Sequence, residues 1–383
     1  MIKKSNKNKI FVICIAFSAI ASSIATYIIL GGLDFFGKPS ETVIEQNKPY
    51  EEVLSPTALK IKSMLSQLDE SMYRGYVEKL CSFGPHPTAR RLGYKLFDLP
   101  IEKVANYIYD EFKSMGLEVS YKHWEEEPTK ENLMKPSYHP GWQIGDNIEA
   151  ILPGTDKNSD EIYVLLAHYD TMNSLGYNQS RPFEKVISIV FGPVCKTLRI
   201  LGANDDSSGV AALLAIAKIM NQYKFNHTVR FVAVTGEEQG LQGSDWYAKE
   251  AKENNDNIVV AFVIDMIGTT PPYSKNNEII FAGDLDNKPN SVVDLTVDVN
   301  QRYSDFFKFK IFRGDPMSDE FGSDQKSFIK YDYDAIYVAE PVEDLDWHRF
   351  TDTIENMDIP YATEVTRLLL ATITELAGLI LKE

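Results

Sequence analysis

Cysteine is scarce in this chain of 383 residues: three are present, and no two form a Cys-x-x-Cys pair. A thiolate-bound zinc or iron–sulfur centre is thereby excluded, and any metal must be held by nitrogen and oxygen donors. Basic residues are also in deficit, with 39 Lys and Arg against 55 Asp and Glu and a formal charge of −16. No basic stripe exists to neutralise phosphates, so nucleic acid is excluded as a partner. Internal repeats and low-complexity tracts are absent. What is present suits an enzyme: a hydrophobic fraction of 44% provides for a large core, and α/β enzymes of this size commonly form a single unit.

One long apolar run stands at the N-terminus. Lys3, Lys4, Lys7 and Lys9 precede a charge-free stretch over residues 10–33. As a helix, residues 10–30 would span roughly 31 Å, about the thickness of a bilayer core. The basic flank would stay in the cytoplasm and the remainder would lie outside. The expected organisation is cytoplasmic lysines with a signal-anchor helix (1–33), a polar, proline-containing tether (34–60) and a catalytic domain (61–383). A secretory signal cut near Ala25 is the alternative, and it would release the domain. Cys14 lies in the apolar segment, which leaves Cys81 and Cys195 for a disulfide that their spacing does not establish.

Within 61–383 the pattern alternates. Ile101, Val104, Ala105, Ile108, Phe112 and Met115 recur at helical spacing, and Gly116 follows as a C-cap. Short runs rich in Val and Ile follow at 117–121, 147–152, 162–167, 229–234, 258–264 and 335–339. Helices are expected between them, one through Val210, Leu213, Leu214 and Ala217 and another after Gly243. Continuous apolar strands alternating with helices imply a largely parallel sheet covered on both faces.

Acids and histidines stand just past these runs. His168 follows the third, Glu237 and Glu238 the fourth, and Asp265 the fifth. Sites in open α/β sheets form beyond the carboxyl ends of strands, so these residues can converge in one crevice. Each has a plainer reading. His168 with Asp170 could be a strand-end ion pair, although Asp170 could also hold the second nitrogen of a ligating imidazole. Asp205 and Asp206, in Asn-Asp-Asp-Ser-Ser-Gly, open a helix as capping residues do, but two adjacent acids exceed what a cap requires. Glutamate pairs are common on solvated helices. Here the glycines of Gly-Glu-Glu-Gln-Gly-Leu-Gln-Gly-Ser set Glu237 and Glu238 in a turn, where one can bind metal and the other can take a proton from a metal-bound water. Asp265 interrupts an apolar run, which is costly unless the acid is paired or metal-bound. His348 occupies a polar loop before the last helix.

In this order the motifs resemble the co-catalytic zinc aminopeptidases of peptidase family M28, over roughly residues 70–383. They are His168-Tyr169-Asp170, Asp205 to Gly209, Gly236 to Ser244, Asp265-Met266, Ser323-Asp324 and His348 with Asp352-Thr353. Gly84 to Thr88 matches that family's approach segment. The resemblance implies a three-layer α/β/α sandwich around a mixed, largely parallel sheet. It implies two zinc ions, one on His168, Asp205 and Asp265, the other on Asp205, Glu238 and His348. Glu237 would be general base and then acid, Asp170 the partner that orients His168, and Asp205-Asp206 a cis peptide. N-terminal peptide bonds would be hydrolysed by a metal-bound hydroxide.

Two departures stand out. The interval after His168 is long, and residues 172–201 carry four cations around an apolar run, which suits a lid or contact surface. Trp347 beside His348 resembles glutaminyl cyclases, relatives that keep one zinc. Asp324 lies where an acid handles protons in that group, so Asp324 and Trp347 are candidate substrate-binding residues. A carboxypeptidase would need a cation for the substrate carboxylate, for which Arg313 and Arg349 are candidates. A non-enzymatic ectodomain would lack ligands that this chain has. His86, His123, His139 and His227 match no ligand position and are expected at the surface or in packing. Oligomeric state is unreadable.

Overall fold

A computed structural model describes residues 55–88, 100–126, 143–172, 200–270, 277–283, 292–318, 322–341 and 344–381. The apolar segment 10–33 lies outside them, as do residues 173–199 of the long interval, with Cys195, and also His139. Among the described residues, no helix is long and apolar enough to cross a membrane.

The described chain begins with helix α1 (Pro56–Leu65), within the span read as tether. Ser55 accepts from Ala58 N through its hydroxyl at 3.1 Å and Pro56 occupies the first turn, so Ser-Pro is a helix start rather than linker. Ile61, Met64 and Leu65 of α1 are buried, so this helix packs into the core of the catalytic domain. Helices α2 (Glu70–Cys81) and α3 (Pro100–Ser114) follow. In α3 the buried residues are Ile101, Val104, Ala105, Ile108 and Phe112, the stripe its spacing predicts.

Then come β1 (Glu118–Glu126), β2 (Gln143–Leu152), β3 (Glu161–His168), α4 (Ser207–Met220), β4 (Lys224–Phe225) and β5 (Thr228–Val234). After these run α5 (Gln242–Glu253), β6 (Asn257–Ile264), β7 (Glu278–Ala282), α6 (Val292–Arg302) and β8 (Lys310–Gly314). The last elements are α7 (Gln325–Lys330), β9 (Ala335–Ala339), a short 3-10 turn, α8 (Ile359–Leu376) and β10 (Leu379–Ile380). Eight strands form one sheet in the order β1-β2-β5-β3-β6-β9-β7-β8. Its central block, β5-β3-β6-β9, is parallel throughout, whereas β1, β2 and β7 enter antiparallel. The expected mixed, largely parallel sheet is thus present. β7 and β8 were not legible as strands, being short runs between polar stretches.

Strand β3 shows why the sheet is covered twice. Tyr163, Leu165 and Ala167 join the core with α1 to α4 and α8, while Ile162, Val164 and Leu166 join a second core with α5 and Phe328 of α7. Alternate side chains point to opposite faces of a strand, so an unbroken apolar strand needs helices on both. The result is three layers, with the ends of β3, β5 and β6 on one edge.

Candidate metal centre and active site

Parallel pairing of β3 with β5 and β6 sets three carboxyl ends side by side, with His168 level with Val234. His168 ends β3, Glu237 and Glu238 follow β5, and Asp265 follows β6. Asp205 and Asp206 come from the turn that opens α4, and His348 from the loop after β9. The peptide Asp205-Asp206 is cis, as the resemblance implied.

The two acids of that turn divide the work. Asp206 is the cap: it accepts from Gly209 N at 2.8 Å, and from Met266 N and His168 N at 3.3 Å each. Its carboxylate ties the ends of β3 and β6 to the helix. Asp205 faces the histidines instead. Its Oδ1 lies 3.1 Å from His168 Nε2, and its Oδ2 lies 3.1 Å from His348 Nε2. Asp265 Oδ1 is 3.6 Å from His168 Nε2, and Glu238 Oε2 is 3.1 Å from His348 Nε2. Two groups, His168–Asp205–Asp265 and Asp205–Glu238–His348, therefore share one carboxylate through different oxygens.

Cations fit these groups. Donors bound to tetrahedral zinc at about 2.0–2.2 Å stand roughly 3.3–3.5 Å apart, close to the spacings here. Glu238 Oε1 and Asp265 Oδ1 are buried without a hydrogen-bond partner, a costly state that a metal relieves. Imidazole and carboxylate donors with no thiolate suit zinc, cobalt or manganese.

Proton affinities in the site are strongly displaced. Burial opposes charge on both imidazoles, but neighbouring carboxylates override it. Asp170, Asp205 and Asp265 hold His168 well above its ordinary value, and Glu238 and Asp205 push His348 up to about 11. Asp205 is itself held low, its burial outweighed by His168 and His348. Burial raises Glu238 to about 7. Glu237 is raised well above the usual carboxylate range by burial and by the charges of Glu238, Asp324 and Asp265.

The surroundings of Glu237 are built by close packing. Trp124 is 1% exposed, and a Cβ on Gly236 (φ 86°) would lie 2.8 Å from its ring. A Cβ on Gly243 would lie 2.2 Å from Thr235 O. The glycines flanking the glutamate pair are thus places where backbone meets an indole or a carbonyl. Glu237 remains partly accessible, whereas Glu238 is buried.

Asp170 departs from expectation in detail. The His168 Nδ1 bonds to its backbone carbonyl at 3.0 Å, while the carboxylate stands 3.7 Å away. That carboxylate accepts from Glu237 N at 3.3 Å and from the Thr88 hydroxyl at 2.9 Å. It orients the loop of the candidate base more directly than the imidazole.

Asp324, which precedes α7, is 1% exposed, with neither carboxylate oxygen hydrogen-bonded, and burial raises it to about 7. Trp347 is 44% exposed, and its ring stacks on His348 at 4.1 Å. His348 takes a left-handed backbone (φ 57°), which costs a non-glycine residue about 1–2 kcal/mol and must be enforced by its surroundings. His86, expected at the surface or in packing, is buried beside the site, with its ring on Gly84 O and its backbone N–H on the Thr171 hydroxyl. The segment Gly84 to Thr88 was its only signal. His123 is exposed and pairs with Asp146, and His227 meets the Ser159 hydroxyl at 2.7 Å. Arg313 is paired with Asp294.

The family model of peptidase family M28 matches residues 147–373, a span that holds both ligand groups and Glu237. A probable zinc metalloprotease of Phaeosphaeria nodorum is 26% identical over 61% of this chain and 52% of its own length. The chain spans about half the length of that curated relative and of the two next to it. Among solved structures, BSAP, a zinc aminopeptidase from Bacillus subtilis, superposes with a TM-score of 0.62 at 15% identity, covering 81% of this chain and 96% of its own. A glutaminyl cyclase of Bacteroides thetaiotaomicron superposes with a TM-score of 0.60 at 18% identity, covering 80% and 97%. At such identities these two share the fold. It is the family match, running over more than half the chain and through every ligand position, that assigns this protein to peptidase family M28.

Proposed function

We propose that the protein is a zinc-dependent aminopeptidase that removes N-terminal residues from peptides, held at a membrane by residues 1–33 with its catalytic domain outside the cytoplasm. The observation that carries the enzymatic reading is Asp205, whose two oxygens face two separate histidine–carboxylate groups. His168, Asp205 and Asp265 would hold one zinc ion, and Asp205, Glu238 and His348 the other. Bound zinc supplies a Lewis acid that polarises the scissile carbonyl and makes water a stronger acid.

The remaining chemistry belongs to the chain. Glu237, beside Glu238 and partly accessible, accepts the proton of the attacking water and returns it to the leaving amine. Asp170 fixes the Glu237 backbone, and Thr88 fixes Asp170. Selectivity for a free N-terminus follows from charge. Six buried acids, Asp170, Asp205, Asp206, Glu238, Asp265 and Asp324, stand around the crevice with Glu237. A crevice lined by acids favours a substrate ammonium over a carboxylate. Of the two cations considered for a carboxypeptidase, Arg313 is already paired with Asp294.

A second reading, glutaminyl-peptide cyclisation with one zinc, is favoured by the Trp347 stack on His348 and by the unpartnered Asp324. Zinc-loaded protein should be offered Xaa-p-nitroanilides, N-blocked peptides and Gln-peptides. Release of the first residue from unblocked substrates only, with two ions per chain, supports the peptidase; ammonia release from Gln-peptides with one ion supports the cyclase. The membrane reading rests on the basic flank and charge-free stretch of residues 3–33. Cell fractionation of the full chain and of a chain starting at Ser55 tests it, and equal solubility of the two would refute it.

A further inference from the structure

Asn204, which precedes the shared carboxylate, is buried and engaged on every side. Its Nδ2 donates to Glu340 Oε1 and to Asp344 Oδ2 at 2.8 Å each, with Thr269 Oγ1 at 3.3 Å. Its Oδ1 accepts from Gly268 N at 2.8 Å. Asp352, 2% exposed, grips the backbone of the same turn: Oδ1 accepts from Asn204 N at 2.7 Å and Oδ2 from Asp205 N at 3.2 Å. Asp344 and Asp352 bracket the loop that carries His348. Both ends of that loop are therefore fastened to residues 204–205.

The two ligand groups differ in what holds them. His168 ends a strand paired on both sides, and Asp265 N donates to Val338 O at 3.1 Å, so sheet pairing fixes the two ligands that this group does not share. His348 sits in a loop in left-handed conformation, outside any strand or helix. Its distance from Asp205 Oδ2 depends on what anchors the loop.

We propose that Asn204 and Asp352 are positioning residues: they latch the His348 loop to the shared carboxylate, and so set the cation affinity of the Asp205–Glu238–His348 group more strongly than that of the other, which they reach only through Asp205. This rests on the two-ion reading given above. Partners behind a metal ligand are worth about 10–100-fold in affinity when they orient it. Oxygens that accept from two successive backbone N–H groups restrict the turn that carries the ligand.

The test is calorimetric titration of the chelator-stripped full chain with zinc alone. Wild-type protein should bind two ions in resolvable steps. Asp352→Ala should weaken one step by about 10–100-fold and the other by clearly less, since two of that group's ligands stay fixed by the sheet. Asp352→Asn, which keeps one acceptor oxygen, should fall between. His348→Ala should lose the weakened step, and adding Asp352→Ala to it should weaken the step that remains by clearly less than Asp352→Ala weakens the first. Melting monitored by circular dichroism establishes folding, and if Asp352→Ala does not fold, Asp352→Asn is held to the same criterion. Equal weakening of both steps, or of neither, overturns the latch while leaving the two-ion site intact. A single step in wild-type protein overturns both.

Discussion

Replacing Asp205 with asparagine removes one charged donor from each ligand group at once, because its two oxygens serve different histidines. A structural zinc site with four ligands binds with roughly 10–16 kcal/mol, or about 3 kcal/mol per ligand. Asp205→Asn should therefore weaken each of two ions by roughly 100-fold, since about 1.4 kcal/mol corresponds to tenfold. His168→Ala and His348→Ala should each remove one ion and spare the other. Equilibrium dialysis against buffered zinc, with metal counted per chain, distinguishes these outcomes. An Asp205→Asn protein that keeps one ion at wild-type affinity would refute the shared-carboxylate geometry. The amide is nearly isosteric and Asp206 retains the helix cap, so misfolding is not the expected cause of metal loss.

Other consequences are as direct. Glu237→Gln should keep both ions and lose turnover by about 10²–10⁴-fold, measured as kcat on an unblocked p-nitroanilide; full activity would remove its role. Stability of the metal-free protein should fall as pH rises from about 5.5 to 8.5. Glu238 and Asp324 (each raised to about 7) and Asp352 (raised to about 8) bind protons in the folded state that the unfolded chain has released, and this stabilisation is lost as pH passes their folded values. His348, raised to about 11, acts in the same sense: its contribution is full below its unfolded value and declines above it. Asp205, held low, contributes in the opposite sense, and only in strong acid is that contribution lost. Zinc should raise Tm more at pH 8 than at pH 6, since metal displaces those protons; a metal-free Tm that climbs across this range would contradict the cluster. Trp124→Ala should cost about 3–5 kcal/mol in denaturant unfolding, as for other buried aromatics, and it should lower activity by freeing the loop at Gly236. Gly236→Ala should destabilise through its positive φ and the Trp124 contact, and unchanged unfolding in both variants would show that the loop does not depend on that packing.

Much of the site was legible because strand ends are legible. The runs before His168, Glu237 and Asp265 are apolar on both faces, so the polar residues that close or follow each stand at the edge of the sheet. Asn-Asp-Asp-Ser-Ser-Gly and the glycine-flanked glutamates announced turns. Less legible were residues whose role depends on a distant partner. His86 carries no periodic or capping signal, and only its contacts with Gly84 and Thr171 place it beside the site. The helix start at Ser55-Pro56 carries a local signal, but the polar residues before it give the whole stretch the composition of a tether. The strands β7 and β8 are five residues each and pair with elements far along the chain, which local patterning does not reveal.

By itself the sequence determined the donor chemistry, nitrogen and oxygen without sulfur, and the order in which ligands arrive at the ends of strands and in turns. Local rules suffice for that, since the alternation of buried strands with helices is written into residue type. Tertiary structure decided the rest: that β3 lies between β5 and β6, that Asp205 turns one oxygen to each histidine while Asp206 caps the helix, and that the carboxylate of Asp170 holds the Glu237 backbone. Strand order and side-chain direction are set by packing between segments distant in the chain, and spacing along the chain does not encode them.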